Sequence, residues 1–329
     1  MSEPENPFTP LAASPPMSPA IPPKMNRSMQ IFWGPNGLRA GWRVLIFLAI
    51  CAVILFGVGY ASRGINGGQI STMPFSPQVL LASEATLFGI VLLASWIMSK
   101  AEGRALASYG IPWRHAFRGE FWKGAVIGFA AISALLGALR LANVFHLGSA
   151  ALHGSELWKY ASLWAGAFLG VAFFEEFLFR GYALFTLTTG IGFWPAALLC
   201  SAVFGGVHIG NSGETWVGAC SAGAIGLLFC AMLRRTGDLW MPIGFHAAWD
   251  WGETFFYGVP DSGQVAPGHL FSANLTGPTW LTGGSVGPEA SWLCLILILC
   301  LFLLFAAWKS GVRYPDARPG SGALEVETS

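Results

Sequence analysis

The sequence predicts an all-α, polytopic transmembrane helical bundle of about eight spans, with both termini cytosolic. Three observations carry that expectation. Of 329 residues, 54% are hydrophobic and 11% charged, far below the roughly 25% charged of soluble domains. The apolar residues come in repeated runs of about 20, the length that crosses ~30 Å of hydrocarbon. Lys and Arg gather between alternate runs, as the positive-inside rule requires. Only helices and closed barrels satisfy their backbone in lipid, and runs this apolar are not barrel strands.

In chain order, residues 1–38 read as a disordered, Pro-rich cytosolic tail. Its first 24 residues carry eight prolines and no apolar core, so they cannot bury enough surface to fold. The turn sequence GPNG, from Gly34 to Gly37, breaks the chain. Arg39 and Arg43 then flank Trp42 as an interfacial anchor.

Residues 39–150 hold the first three spans, at about 43–61, 78–98 and 121–144. Residues 151–258 hold the next four, at 157–187, 193–210, 215–233 and 239–257. The fourth run exceeds one crossing, which predicts a tilt, a kink or an interfacial turn. The seventh is weakly hydrophobic but free of Lys and Arg. Residues 259–288 read as an extracytosolic Gly/Pro-rich loop, and 289–329 as the last span, near 290–308, with a cytosolic tail.

The basic residues support this alternation. Lys24, Arg27, Arg39, Arg43, Lys100, Arg104, Arg114, Arg118, Lys123, Arg234, Arg235, Lys309, Arg313 and Arg318 fall on one side. The other side receives Arg63, Arg140 and Lys159, and the stretch 258–288 has no Lys or Arg. A net charge of +1 points to no nucleic-acid partner; the bilayer itself is the first partner expected. The six cysteines (Cys51, Cys200, Cys220, Cys230, Cys294 and Cys300) lie in apolar runs without CxxC spacing and read as soft packing residues. Small residues recur through GACSAGAIG, residues 218–226, a spacing that lets helices approach closely.

Ionisable groups inside a membrane are costly and point to function. Those singled out are Glu175, Glu176, Arg180, His208, His246 and Asp250, with Glu253 nearer a helix end; all lie in the fourth, fifth and seventh runs. Glu176 and Arg180 are four apart and can pair on one helix face. Glu175 lies ~100° round the helix and is left over. His246 and Asp250 share a face by the same spacing, as do Phe204 and His208. A carboxylate in a low-dielectric site is a usable general base, and histidines can orient water or stabilise an oxyanion. The same residues could bind a divalent metal such as zinc, with His208, His246 and Asp250 as candidate ligands. The bland alternatives are hydrogen-bonded packing histidines and a structural Glu–Arg pair. His115, His146, His153 and His269 lie in loops or at run ends and read as solvated.

EEFLFR (Glu175–Arg180), FGGVH (Phe204–His208) and HAAWD (His246–Asp250) match EExxxR, FxxxH and HxxxN/D in order. Together they resemble the CPBP family of CAAX prenyl protease and bacteriocin-processing intramembrane endopeptidases, over about 160–258. That resemblance makes 151–258 the catalytic core and a protein or peptide, lipidated or membrane-associated, the substrate. It implies that Glu175 activates the attacking water, His208 helps hold it, and His246 and Asp250 stabilise the oxyanion. Glu176 and Arg180 keep the motif's shape. An ionised Asp250 cannot donate to an oxyanion as Asn would. Such an Asp must be protonated, orient His246 or ligate a metal.

Other classes compete. A rhomboid-like serine enzyme would use Ser221 and His246, leaving both glutamates idle. A proton-coupled transporter would use the buried acids as a relay but calls for an inverted repeat that the sequence lacks. A non-catalytic scaffold or immunity protein could keep the same fold and motifs.

Overall fold

The computed structural model describes residues 28–35, 37–65, 75–211, 213–307 and 312–314. The proline-rich segment 1–24 and the basic residues Lys24, Arg27, Lys309 and Arg318 lie outside the described residues.

Met1–Arg39 and Ala40–Ser329 form two units. In the first, α1 (Met29–Phe32) leads into an antiparallel pair, β1 (Trp33–Gly34) and β2 (Gly37–Leu38), with Trp33 opposite Leu38. The strand connection falls at the GPNG turn. Arg39 Nε donates to the Gln30 carbonyl at 2.8 Å.

The second unit is helical. Its membrane-length helices begin with α2 (Ala40–Ile65), α3 (Pro77–Ala101) and α4 (Gly119–Leu141). The short strand β3 (Phe145–His146) follows, then α5 (Gly154–Glu176) and α6 (Leu184–Ile191). A π-type stretch, Phe177–Ala183, joins α5 to α6, and Gly181 within it leaves the helical region at φ −82°, ψ −115°. Of the tilt, kink or interfacial turn expected of the overlong fourth run, the structure shows a kink. Next come α7 (Phe193–His208), α8 (Trp216–Thr236) and α9 (Trp240–Asp250), the last continued by a second π-type stretch over Trp251–Tyr257. The chain closes with β4 (Asn274–Leu275), α10 (Thr279–Thr282) and α11 (Trp292–Ala307).

Among the described residues five helical segments are long and apolar enough to cross a membrane: Ala40–Arg63, α3, α4, Gly154–Ile191 and α8. The protein is an integral, multi-pass membrane protein. The other three predicted runs fold as the shorter helices α7, α9 with its extension, and α11.

Packing centres on α9, which lies against α4 and α5, while α8 joins α7 to α11 and α3 covers α5. The α4–α9 contact is backbone on backbone: a Cβ on Gly128 would stand 2.2 Å from the Phe245 carbonyl oxygen. No side chain larger than hydrogen fits there, so close approach here rests on glycine.

The two ends of the bundle differ in charge. At one end Arg43 pairs with Glu102 at 3.1 Å, and the Leu239 amide donates to the Gly110 carbonyl at 2.8 Å. There too the Arg313 amide donates to the Arg234 carbonyl at 3.1 Å. This end gathers Arg43, Lys100, Arg104, Arg114, Arg118, Arg234 and Arg313. At the opposite end β3 pairs antiparallel with β4, Phe145 facing Leu275, and among the described residues of 258–288 there is no Lys or Arg. All six cysteines are free, and Cys200, Cys230 and Cys294 are buried.

Candidate active site

The site forms where α5 and α9 cross. Glu175 and Glu176 are the last residues of α5, and His246 and Asp250 sit one turn apart on α9. In both helices the regular hydrogen-bond ladder gives way to a π-type stretch immediately afterwards, a departure that often accompanies functional positions.

Glu176 is wholly buried and serves two partners through one oxygen. Its Oε1 accepts from Arg180 Nη1 at 3.1 Å and lies 3.1 Å from His246 Nδ1. A carboxylate paired with a guanidinium is an acceptor, so the shared proton belongs on Nδ1, and this fixes the imidazole's orientation. Arg180 is itself fully buried, with its guanidinium 4.2 Å from the Phe204 ring centroid and 5.6 Å from that of Phe229. These faces supply the cation–π attraction that an otherwise dry pocket needs. The arginine fits only because α8 carries glycine opposite it: a Cβ on Gly226 would stand 2.3 Å from Nη2.

The far nitrogen of His246 faces two more carboxyls. Nε2 lies 3.7 Å from Glu175 Oε2 and 3.5 Å from Asp250 Oδ2. These separations are longer than a good hydrogen bond, and a water or a substrate oxygen can bridge them. The Glu175 side chain is the most open of the group, at 23% exposure against 0% for Glu176.

His208 ends α7, and its Nδ1 donates to the Phe204 carbonyl at 2.7 Å, leaving Nε2 available. It lines the same cavity, of about 320 Å³, as Glu175, His246 and Asp250. Of the three candidate metal ligands, the structure sets His246 beside Asp250, with His208 across the cavity wall. Among the described residues no group of three or more His, Cys, Asp or Glu side chains is disposed to hold a metal ion.

Several acids belong to this region without having been singled out in the sequence. Glu84 of α3, Glu214 ahead of α8, Asp261 in the loop after α9 and Glu289 ahead of α11 all line the cavity. Trp249 Nε1 donates to both Glu253 Oε2 at 2.9 Å and Glu289 Oε1 at 3.1 Å, and Thr254 Oγ1 donates to Asp261 Oδ2 at 2.8 Å. Burial pushes the Asp261 carboxyl above its ordinary range. Burial and the neighbouring Asp261 charge push Glu289 up to about 8. The signal for Glu84 was present: it is a carboxyl inside the second apolar run. Asp261 sits in the Gly/Pro-rich stretch that read as an extracytosolic loop and Glu289 at the first residue of the segment assigned to the last span, and only folding brings them to the cavity.

The fold and site are those of a multi-pass membrane protein whose carboxylates and histidines converge inside a helical bundle. Residues 156–252, under a third of the chain, match the family model described as type II CAAX prenyl endopeptidase Rce1-like. The match runs from the first turn of α5 to just past Asp250 and contains all three motifs. It identifies that segment with the CPBP, CAAX-type family of membrane endopeptidases. No curated protein and no solved structure matches the chain.

Proposed function

We propose that this protein is an intramembrane endopeptidase that hydrolyses peptide bonds of membrane-associated or lipidated proteins, with Glu175 as general base. One observation carries the reading: Glu175 Oε2 and His246 Nε2 face each other at 3.7 Å within a cavity of peptide-side-chain size. A water between them can give its proton to Glu175 as its oxygen attacks the scissile carbonyl carbon. The carbonyl π pair moves onto oxygen, and a protonated His246 donates from Nε2 to that oxyanion. Glu175 then passes its proton to the departing nitrogen, the C–N bond breaks, and a carboxylic acid and an amine leave.

The other residues support this geometry. Glu176 holds His246 in place and Arg180 balances Glu176. Asp250 flanks Nε2 and helps keep the imidazole charged during the reaction. His208, with Nε2 free, steadies the water. The contacts of Glu176, Arg180 and Asp250 described above support these roles, His208 is placed with them by the shared cavity, and the family match of the segment adds support.

The test is cleavage of quenched fluorescent membrane peptides by purified protein in lipid nanodiscs. Wild type should cleave and Glu175→Gln should not, and activity should survive exhaustive chelation. Normal cleavage by Glu175→Gln would sink the base assignment. No cleavage by wild type across varied lipidated and membrane peptides would favour a scaffold of the same fold.

A further inference from the structure

The cavity carries carboxyls that hydrolysis does not use. Glu84, Glu214, Asp261 and Glu289 line it, while no Lys or Arg does. Three of them, Glu84, Asp261 and Glu289, lie outside the matched segment 156–252. Among the described residues their hydrogen-bond partners are neutral: Thr215 for Glu214, Thr254 for Asp261, and Trp249 and Ser262 for Glu289. Acids drawn together repel and lose hydration, and the one imidazolium of His246 does not balance four of them.

A second observation points to a missing ligand. Ser221 lines the same cavity and is 2% exposed, and its Oγ has no hydrogen-bond partner among the described residues. Beneath Glu289, the wholly buried Glu253 also leaves Oε1 without a partner. Buried polar atoms are normally satisfied, and Ser221 Oγ belongs to the cavity lining, where a bound chain would pass.

The lining also includes Phe75, Asn211, Ser262 and Gln264. They belong to the segments before α3, after α7 and after α9, which lie at the end of the bundle away from Arg43, Lys100, Arg234 and Arg313. By the positive-inside rule that end is extracytosolic.

We infer that the cavity takes a cationic peptide segment presented from the extracytosolic side, its Lys or Arg side chains held by Glu84, Glu214, Asp261 and Glu289. This rests on the reading of the site as a peptidase. The upward displacement of Asp261 and Glu289 fits it, because an ammonium or guanidinium would add counter-charge beyond that of His246. Specificity would thus come in large part from residues outside the segment that performs the chemistry, with Glu214 the one member inside it.

The test uses the full-length Glu175→Gln protein in nanodiscs and two fluorescent peptides. Both share one apolar segment of about 20 residues; one carries three lysines at its extracytosolic flank, the other three glutamates. The lysine peptide should bind about ten-fold more tightly, and salt should erode that preference. In the Asp261→Asn/Glu289→Gln background the preference should vanish. Equal binding of the two peptides overturns the inference. Because binding is read without turnover, the two readings fail separately. A charge preference with no cleavage by the parent enzyme supports the specificity and defeats the hydrolysis; cleavage with no charge preference does the reverse. Should the double variant not fold, Glu84→Gln on the opposite wall gives the same readout. For sidedness, Gln264→Cys in intact cells should react with a membrane-impermeant maleimide above the parent's background. Reaction only after permeabilisation overturns the extracytosolic entry.

Discussion

His246 Nδ1 stands 3.1 Å from Glu176 Oε1, the same oxygen that Arg180 reaches at 3.1 Å. The glutamate that spacing alone makes a structural counter-ion is therefore also the group that aims the imidazole. Shape and chemistry at this site run through one oxygen atom.

Separating the two glutamates is the first expectation. Glu175→Gln should lower the cleavage rate by about 10²–10⁴-fold, the usual contribution of a positioned acid–base group, with the thermal midpoint unchanged. Glu176→Gln should lower both, because it loosens Arg180 as well as His246. Rates and melting curves on the same preparations check this. Equal midpoints for the two variants would count against the division.

Arg180→Met should be among the most damaging substitutions for stability. It strands the buried Glu176 charge, a change that costs roughly 3–5 kcal/mol when one partner of a buried pair is removed. Adding Glu176→Gln in the same chain should recover much of that loss while activity stays low. Denaturation midpoints of the single and double variants decide it.

Gly226→Ala adds one methyl where a Cβ would stand 2.3 Å from Arg180 Nη2. The guanidinium or α8 must shift, and overpacking of this kind costs about 1–3 kcal/mol. Cleavage should fall together with the midpoint. Gly206→Ala on α7, where a Cβ meets nothing within 4 Å, is the control that should change neither.

Stability should also depend on pH through Glu289. Its folded-state value is raised from 4.5 to about 8, so the folded protein holds that proton more tightly than the unfolded chain does. The associated stability is fully present below about pH 4.5 and is lost as pH rises through about 8. Glu289→Gln should flatten the melting midpoint over that window and leave it higher than the parent's at pH 8. A midpoint that rises with pH in the parent, or the same slope in the variant, would overturn the assignment.

Asp250→Asn keeps the side-chain size beside His246 Nε2 and offers an amide donor there. Cleavage should stay within about ten-fold of the parent, the effect of one hydrogen bond's worth of change. The rate should no longer depend on the ionisation of this position. Complete loss would show that the carboxylate charge is needed, and a pH–rate profile of the pair separates the cases.

Local spacing carried much of this site. Glu176 with Arg180 and His246 with Asp250 are four residues apart, and helical geometry puts each pair on one face whatever the rest of the chain does. Apolar runs likewise reported the helices, because lipid leaves the backbone few other options. What spacing could not convey is which helices meet. That Glu176 would bind His246, 70 positions away, depends on how α5 crosses α9. The place of Asp261 and Glu289 depends on the segment after α9 folding back over it. Glu84 was visible as a carboxyl in an apolar run, but with no partner within one helical turn it offered no pattern to read.

The break at Gly181 has a mechanical consequence. In an unbroken helix, a tilt forced on one end by bilayer thickness is carried rigidly to the other. Here α6, beyond the break, can re-aim as a lever of its own while Tyr182 stays tied to Glu102 and Glu175 stays where α9 holds its neighbours. Lipids with shorter or longer acyl chains should then strain the half of this span beyond Gly181 and leave the distance between Glu175 and His246 largely untouched.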